Sequence, residues 1–239
     1  MKKFLFSVML CCSIQTLFAH AIWIETSTNG KIGQAQTVKV FFGEFSENER
    51  DSTQHWFSNM SAFTLLLITP DGQKTPLTCT PAGNHFAASF TPKTAGAHVL
   101  SIDHTVQAIY GDSKIHYYAL GLVKVNGSLK GADNVRAYTD FALLANHQQA
   151  PKLHQPEKIQ LSYRNSPPPN ADITIQSAEG WSKKIKTNQQ GDITFSPAWT
   201  GRYMLEGTFT DASGGEHEGQ AFKKTWYCVT WCMDVAVSH

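Results

Sequence analysis

The chain has 239 residues with 20 basic and 19 acidic side chains, so its formal net charge is +1. This length allows one large β domain or two small ones. The near balance of charge excludes a polybasic surface of the kind that binds nucleic acid, and we expect no nucleic-acid partner.

The first residues are typical of a secretory signal peptide. Lys2 and Lys3 form its positive region, and residues 4–14 form an uncharged, largely apolar stretch. That stretch is too short to span a bilayer as a helix, and a charge, Gly, Pro or polar residue soon interrupts every later apolar run. We therefore expect residues 1–19 to be removed, leaving a periplasmic or secreted protein that does not span the membrane.

Two cleavage positions fit the signal-peptide pattern. Cleavage after Ala19 makes His20 the first residue of the mature chain, whereas the A-x-A match around His20 predicts cleavage after Ala21. An apolar strand that begins directly at Ile22 favours the first position. The second position would discard the histidine with the leader.

Short β-prone runs separated by turn signals fill residues 20–127. We predict strands at residues 21–26, 37–42, 63–69, 85–91, 98–103 and 115–125. A Pro-Asp-Gly-Gln sequence at residues 70–73 marks a hairpin-like turn between two of them. Because no comparable stretch has a clean helical period, we predict an antiparallel sandwich as the first module.

The pattern changes over residues 128–156, which we predict to be the joint between two modules, with a strand or one helical turn around residues 141–144. Strand signals then resume over residues 157–239. We predict strands at residues 158–163, 172–176, 193–195, 200–205 and 224–235. The fold class predicted for the whole chain is all-β, with two small immunoglobulin-like or prealbumin-like sandwich modules after a cleaved signal peptide.

Three of the five cysteines lie outside the leader, and an exported compartment permits disulfides. Cys228 and Cys232 would be about 13 Å apart in an extended strand, beyond the roughly 7 Å limit for bridged Cα atoms. We therefore predict a disulfide between Cys79 and Cys228 or Cys232. Both of these, with Met233, also offer the sulfur ligands that suit Cu(I).

The chain has ten histidines but no compact H-x-x-x-H or H-E-x-x-H pattern, so a metal site would join separate strands and loops. A terminal His20 offers its α-amine and imidazole in one chelate ring, and a second histidine would complete a three-nitrogen site that Cu(II) accepts. We predict His104 as that partner because it stands at a strand end where loops gather. His55, in a loop, and His116, in a strand, are the next candidates.

Three stretches carry a family resemblance. They are residues 20–25 (His20-Ala21-Ile22-Trp23-Ile24-Glu25) with 33–38 and 42–44, residues 92–100, and residues 187–195 with 200–204. In these stretches the chain resembles a bacterial periplasmic family of unknown function that is described as a periplasmic component of nickel or cobalt uptake. The resemblance implies a mature chain that opens with His20, a bound transition metal ion and a membrane transporter as partner.

The predicted function is therefore binding of nickel, cobalt or copper as an accessory to metal uptake. Because no G-x-S-x-G elbow and no glycine-rich phosphate loop occurs, we expect a binding protein and not an enzyme. One alternative is an N-terminal-histidine copper oxidase that acts on polysaccharide. Another is a structural adhesion or carbohydrate-contact module that uses Trp226 and Trp231.

Overall fold

The computed structural model describes residues 20–145 and 151–235, so the predicted signal peptide, residues 1–19, lies outside the described part. The described residues are almost entirely strands, with one short α-helix and one 3-10 turn among them. This confirms the predicted all-β class. None of the helices in these two ranges is long and apolar enough to cross a membrane.

The strands fall into two runs along the chain. The first run is β1 Ala21–Thr26, β2 Asn29–Gly30, β3 Gln36–Gly43, β4 Leu65–Ile68, β5 Lys74–Leu77, β6 Thr80–Pro81, β7 Phe86–Phe90, β8 Gly96–Thr105 and β9 Ser113–Val125, with the 3-10 turn at Met60–Ala62. After helix α1 Asn134–Tyr138, the second run is β10 Phe141–Ala145, β11 Glu157–Tyr163, β12 Asp172–Ser177, β13 Ser182–Lys186, β14 Asp192–Phe195, β15 Gly201–Asp211, β16 Gly215–His217, β17 Gln220–Phe222 and β18 Lys224–Val235.

One large sheet joins the two halves of the described chain. Its order is β13-β12-β15-β18-β9-β8-β4-β5, with β2 added beside β9. The halves meet where β18 runs parallel to β9, in the register that places Cys228 beside Tyr117. Parallel neighbours need a long crossover connection, and here everything from β10 to β17 lies between them in sequence. This pair departs from the purely antiparallel arrangement that we predicted.

Two hydrophobic cores lie on opposite faces of this sheet, because side chains alternate along each strand. On β9, Tyr117 belongs to one core and Tyr118 to the other. The sheet β1-β3-β7-β6 covers the first core, and the sheet β10-β11-β14 covers the second. The molecule is therefore two sandwiches whose inner sheets merge, which agrees with the predicted pair of immunoglobulin-like modules.

The second sandwich begins earlier than residue 157. Helix α1 and strand β10 both fall within the predicted joint, residues 128–156. β10 pairs with β11 through five registered positions, from Phe141 opposite Tyr163 to Ala145 opposite Ile159. The strand allowed for around residues 141–144 is thus an edge strand of the second sandwich.

The predicted disulfide is not formed, because Cys79, Cys228 and Cys232 are all free thiols. Cys228 and Cys232 lie in β18, whereas Cys79 follows β5 at the edge of the large sheet. β18 and β5 are four positions apart in the strand order, which is about 19 Å at ordinary strand spacing. Bridged Cα atoms must lie within about 7 Å, so a bridge to β18 would require Cys79 to lie far from the strand that it follows.

Candidate metal centre

His20 stands at the beginning of β1, the strand that pairs antiparallel with β3. The register places Ala21 opposite Gly43 and Ile22 opposite Phe42, so the next pair outward is His20 and Glu44. Opposite residues of an antiparallel pair project from the same face. The pairing therefore brings together an imidazole and a carboxylate that are 24 positions apart in sequence.

After β3 the chain reverses in what we call the acidic loop, residues 44–51. The backbone nitrogens of Glu44 and Glu49 each donate to the other residue's carbonyl oxygen, at 3.2 and 3.0 Å. One step further, Asp51 N donates to Phe42 O at 2.9 Å. This short ladder places Glu49 directly opposite Glu44 and Asp51 opposite Phe42. His20, Glu44 and Glu49 consequently form one row across three adjacent chain segments.

The side chains of this row lie close to one another and to Asp51. Nδ1 of His20 lies 3.6 Å from Oε1 of Glu44, and its Nε2 lies 3.6 Å from Oδ2 of Asp51. One ligand atom from each of His20, Glu44 and Glu49 falls within 4.8 Å of the others. Ligand atoms around a first-row metal ion are about 3–3.5 Å apart, so a small inward movement of these side chains would complete a site.

Two residues of the first hydrophobic core contact His20 at the base of this site. The Tyr117 hydroxyl donates to the His20 carbonyl oxygen at 3.0 Å, and the Phe42 ring lies 5.6 Å from the imidazole, centroid to centroid. Tyr117 is buried, and burial raises the pKa of its hydroxyl well above the ordinary value, so it stays a neutral donor. The His20 side chain keeps 36% of its surface exposed, so an ion from solvent can reach it.

The ligand set defines what the site could hold. One imidazole nitrogen and two carboxylates suit divalent first-row ions such as nickel, cobalt and zinc. If Nδ1 of His20 binds the ion beside Glu44, the opposite ring nitrogen faces Asp51. A ligand histidine commonly donates its second N–H to a carboxylate, which fixes the tautomer and the ring orientation. Asp51 is placed for that role.

The three histidines predicted as partners of His20 lie outside this group. His104 is buried in the first core and its Nε2 has no hydrogen-bond partner among the described residues. Burial lowers the pKa of His104, and the neighbouring His116 lowers it further. His55 is exposed in a turn, where its backbone nitrogen donates to Ser52 O.

His116 is occupied by other partners. Its Nε2 lies 2.6 Å from Oδ1 of Asp103, and its Nδ1 lies 3.1 Å from Oγ1 of Thr105. Its ring also stacks on Tyr118, with centroids 4.6 Å apart. Both ring nitrogens therefore take part in a cross-strand polar cluster of β8 and β9.

The carboxylates around His20 were not predicted from the sequence. Glu44 was recognised only as part of a family motif, and Glu49 and Asp51 were not singled out. The order of the predicted strands could have indicated Glu44. If the first predicted strand pairs antiparallel with the second, the residues after Gly43 lie beside His20. The register of that pair, however, is not written in either strand alone.

No family model matches the chain, and no curated protein matches it. Among solved structures, a segment of chicken tenascin with two fibronectin type-III domains is 10% identical, with 88% of this chain and 97% of that chain covered and a TM-score of 0.26. This TM-score is too low to support a fold assignment. The assignment of two sandwiches depends instead on the strand pairing and the two hydrophobic cores. The resemblance to the nickel and cobalt uptake family stays a prediction.

Proposed function

We propose that this chain, after export, binds a divalent transition metal ion at His20, Glu44 and Glu49. One observation carries the proposal: ligand atoms from three separate chain segments converge within 4.8 Å. The β1–β3 register and the ladder of the acidic loop hold all three segments. Nickel and cobalt are the ions that the ligand set and the family resemblance favour together.

The proposed role is capture and delivery of the ion to a membrane transporter, with the metal as cargo and no catalysis. The site lies at the rim of the first sandwich, and His20 and Glu44 keep 36% and 29% of their side-chain surfaces exposed. An ion can therefore enter and leave without unfolding a core. If cleavage follows Ala19, the α-amine of His20 adds a second nitrogen ligand to the same residue.

An N-terminal-histidine copper oxidase is the second candidate, favoured by the hydrogen bond from Tyr117 to the His20 carbonyl oxygen. Such an enzyme uses three nitrogens around copper, whereas Glu44 and Glu49 supply oxygen atoms, so we place metal capture first. The carbohydrate-contact alternative is not favoured, because both of its tryptophans pack against hydrophobic cores. Trp231 is buried in the second core, and Trp226 packs against the first.

The test uses protein exported with its own leader and purified without chelators. Intact mass gives the first residue of the mature chain, and elemental analysis gives the bound metal. Titration with Ni(II), Co(II) and Cu(II) then compares wild type with His20→Ala. We expect the substitution to weaken binding by at least roughly tenfold, because it removes the nitrogen ligand. His55→Ala is the matched control and should bind like wild type.

Two results would overturn the proposal: a mature chain that starts at Ile22, or equal metal affinity of wild type and His20→Ala. The oxidase is separated by a different measurement. If the copper-loaded wild-type protein forms peroxide with ascorbate and the His20→Ala variant does not, the protein is a copper oxidase and not a metal-capture protein. Absence of that activity, with tight nickel or cobalt binding through His20, is the result that we expect.

A further inference from the structure

We infer that the second sandwich positions the acidic loop for metal binding through Gln176 and Arg202, neither of which touches the ion. This inference rests on the proposed function and names two residues that tune the same site from the other half of the molecule. Each reaches a different part of the loop. Gln176 holds its tip, and Arg202 acts on its end through Glu25.

Gln176 lies in β12 and is only 8% exposed. Its side-chain Oε1 accepts a hydrogen bond from the backbone nitrogen of Ser46, 130 positions away in sequence, at 3.3 Å. Ser46 stands inside the turn that Asn48 N closes on Phe45 O at 3.1 Å. The tip of the acidic loop is therefore fastened to the second sandwich by a buried side chain.

Glu206 fixes which way the Gln176 amide faces. Nε2 of Gln176 donates to Oε2 of Glu206 at 3.2 Å, and Glu206 lies on β15, the strand beside β12. Because an oxygen of the Glu206 carboxyl accepts this hydrogen bond, the NH₂ group of the Gln176 amide faces Glu206. The carbonyl oxygen of the amide then points at Ser46. The acceptor for the loop is thus preorganised by a residue of β15, a strand from the second half of the chain.

Arg202 acts on the other end of the loop. Its Nε and NH2 donate to Oδ1 and Oδ2 of Asp234 at 2.8 and 2.9 Å. Its NH1 donates to Oε2 of Glu25 at 2.8 Å. The other oxygen of Glu25 lies 3.5 Å from NH2 of Arg50. Arg50 also covers the rings of Trp23 and Phe41, at 5.5 and 5.1 Å from their centroids.

Arg50 stands between Glu49 and Asp51 in the acidic loop. Because side chains alternate along an extended segment, fastening Arg50 on the Trp23 side turns Glu49 and Asp51 toward His20. Gln176 and Arg202 therefore fix the loop at its tip and at its end. Ligands held in this way lose less freedom when the ion binds, so the affinity is higher than for a free loop.

The experiment uses the full mature chain and Co(II) as the probe, since its visible absorption reports coordination geometry. Gln176→Met removes both hydrogen bonds of the amide at similar size. We expect the Kd for Co(II) to rise by roughly tenfold, as is usual for residues behind the ligands, and the absorption spectrum to change. Arg202→Met should act in the same direction as Gln176→Met.

Matched controls exist in the second sandwich. Gln160 also makes side-chain hydrogen bonds, to Arg136 and to Gln190 O, but far from the loop in sequence and in a different sheet. Among the described residues, the ion pair of Arg164 is with Asp140, which directly precedes β10. Gln160→Met and Arg164→Met should leave the Co(II) affinity and spectrum unchanged. Any general loss of stability would appear in thermal unfolding of the metal-free protein and can be compared across all variants.

If Gln176→Met does not fold, Ser46→Pro removes the same backbone donor from the loop side, at a turn position that proline accepts. Wild-type binding through His20, with an unchanged Kd and spectrum in Gln176→Met or Ser46→Pro and in Arg202→Met, would overturn the inference alone. Failure of His20→Ala to weaken binding would instead overturn the proposed function. The two failures are therefore distinguishable.

Discussion

A Cβ atom at Gly43 would lie 2.4 Å from the carbonyl oxygen of Glu49. Gly43 also has a φ of +147°, a backbone conformation that L side chains rarely adopt. The absence of a side chain at this position is what allows the returning segment of the acidic loop to approach β3 closely. Glu49 can face Glu44 only because of that approach.

Gly43→Ala should therefore weaken metal binding as well as the fold. We expect a loss of stability of about 2 kcal/mol, because both the steric contact and the backbone conformation are unfavourable. We also expect a higher Kd for Ni(II), because Glu49 is pushed away from Glu44. Gly33→Ala is the control, since Gly33 has a φ of +75° with open space around its Cβ position. It should cost about 1 kcal/mol and leave the Kd unchanged.

Glu49→Gln tests the third ligand directly. The change keeps size and removes the negative charge, so the Kd for Ni(II) or Co(II) should rise by roughly tenfold or more while the melting temperature of the metal-free protein changes little. Glu47→Gln removes one charge from the same loop at an exposed position outside the row, and calorimetric titration should show wild-type affinity. Equal effects of the two substitutions would mean that only the net charge of the loop matters.

The free energy of unfolding should depend on pH through Glu206. Burial raises its pKa from 4.5 to about 7, Lys184 and the hydrogen bond from Gln176 lower it, and the nearby Glu44 raises it. Between these two pH values the folded protein keeps a proton that the unfolded chain has released. Stability should thus fall by on the order of 3 kcal/mol as pH rises through this window, and the loss is complete above it.

Glu206→Gln checks this dependence, because the amide stays neutral at every pH. Chemical unfolding at about pH 5 and about pH 8 should show a smaller decrease in stability for the variant than for wild type. Glu216→Gln, at an exposed position, should keep the wild-type decrease. A wild-type profile in Glu206→Gln would show that this carboxyl is already ionised across the window.

The cysteines should titrate as free thiols. Without reductant, a thiol reagent under denaturing conditions should find Cys79, Cys228 and Cys232 all reactive, and adding reductant should leave the melting temperature unchanged. In the folded protein reaction should be slow, since burial raises the pKa of Cys79 and raises that of Cys228 well above its ordinary value. A bridged Cys79 in a non-reducing peptide map would contradict the structure.

Local sequence was sufficient for strands that have an apolar face. The predicted runs at residues 21–26 and 224–235 coincide with β1 and β18, whose buried residues give a strong β signal. β5 and β13 were missed, and they are the two edge strands of the large sheet. Their side chains are almost all exposed, so neither strand has the alternation of apolar and polar residues on which the prediction depends.

The sequence by itself pointed to His20, through the leader and the apolar strand that follows. The tertiary structure alone decided its neighbours. Strand register set Glu44 opposite His20, and backbone hydrogen bonds of the acidic loop set Glu49 opposite Glu44. The histidine itself does not determine which residue lies opposite it. That depends on the register of β1 and β3, which is set by how both strands bury their apolar faces in the same core. The carboxylates therefore became visible as ligands only in the folded chain, whereas the preference for strands was present in the sequence throughout.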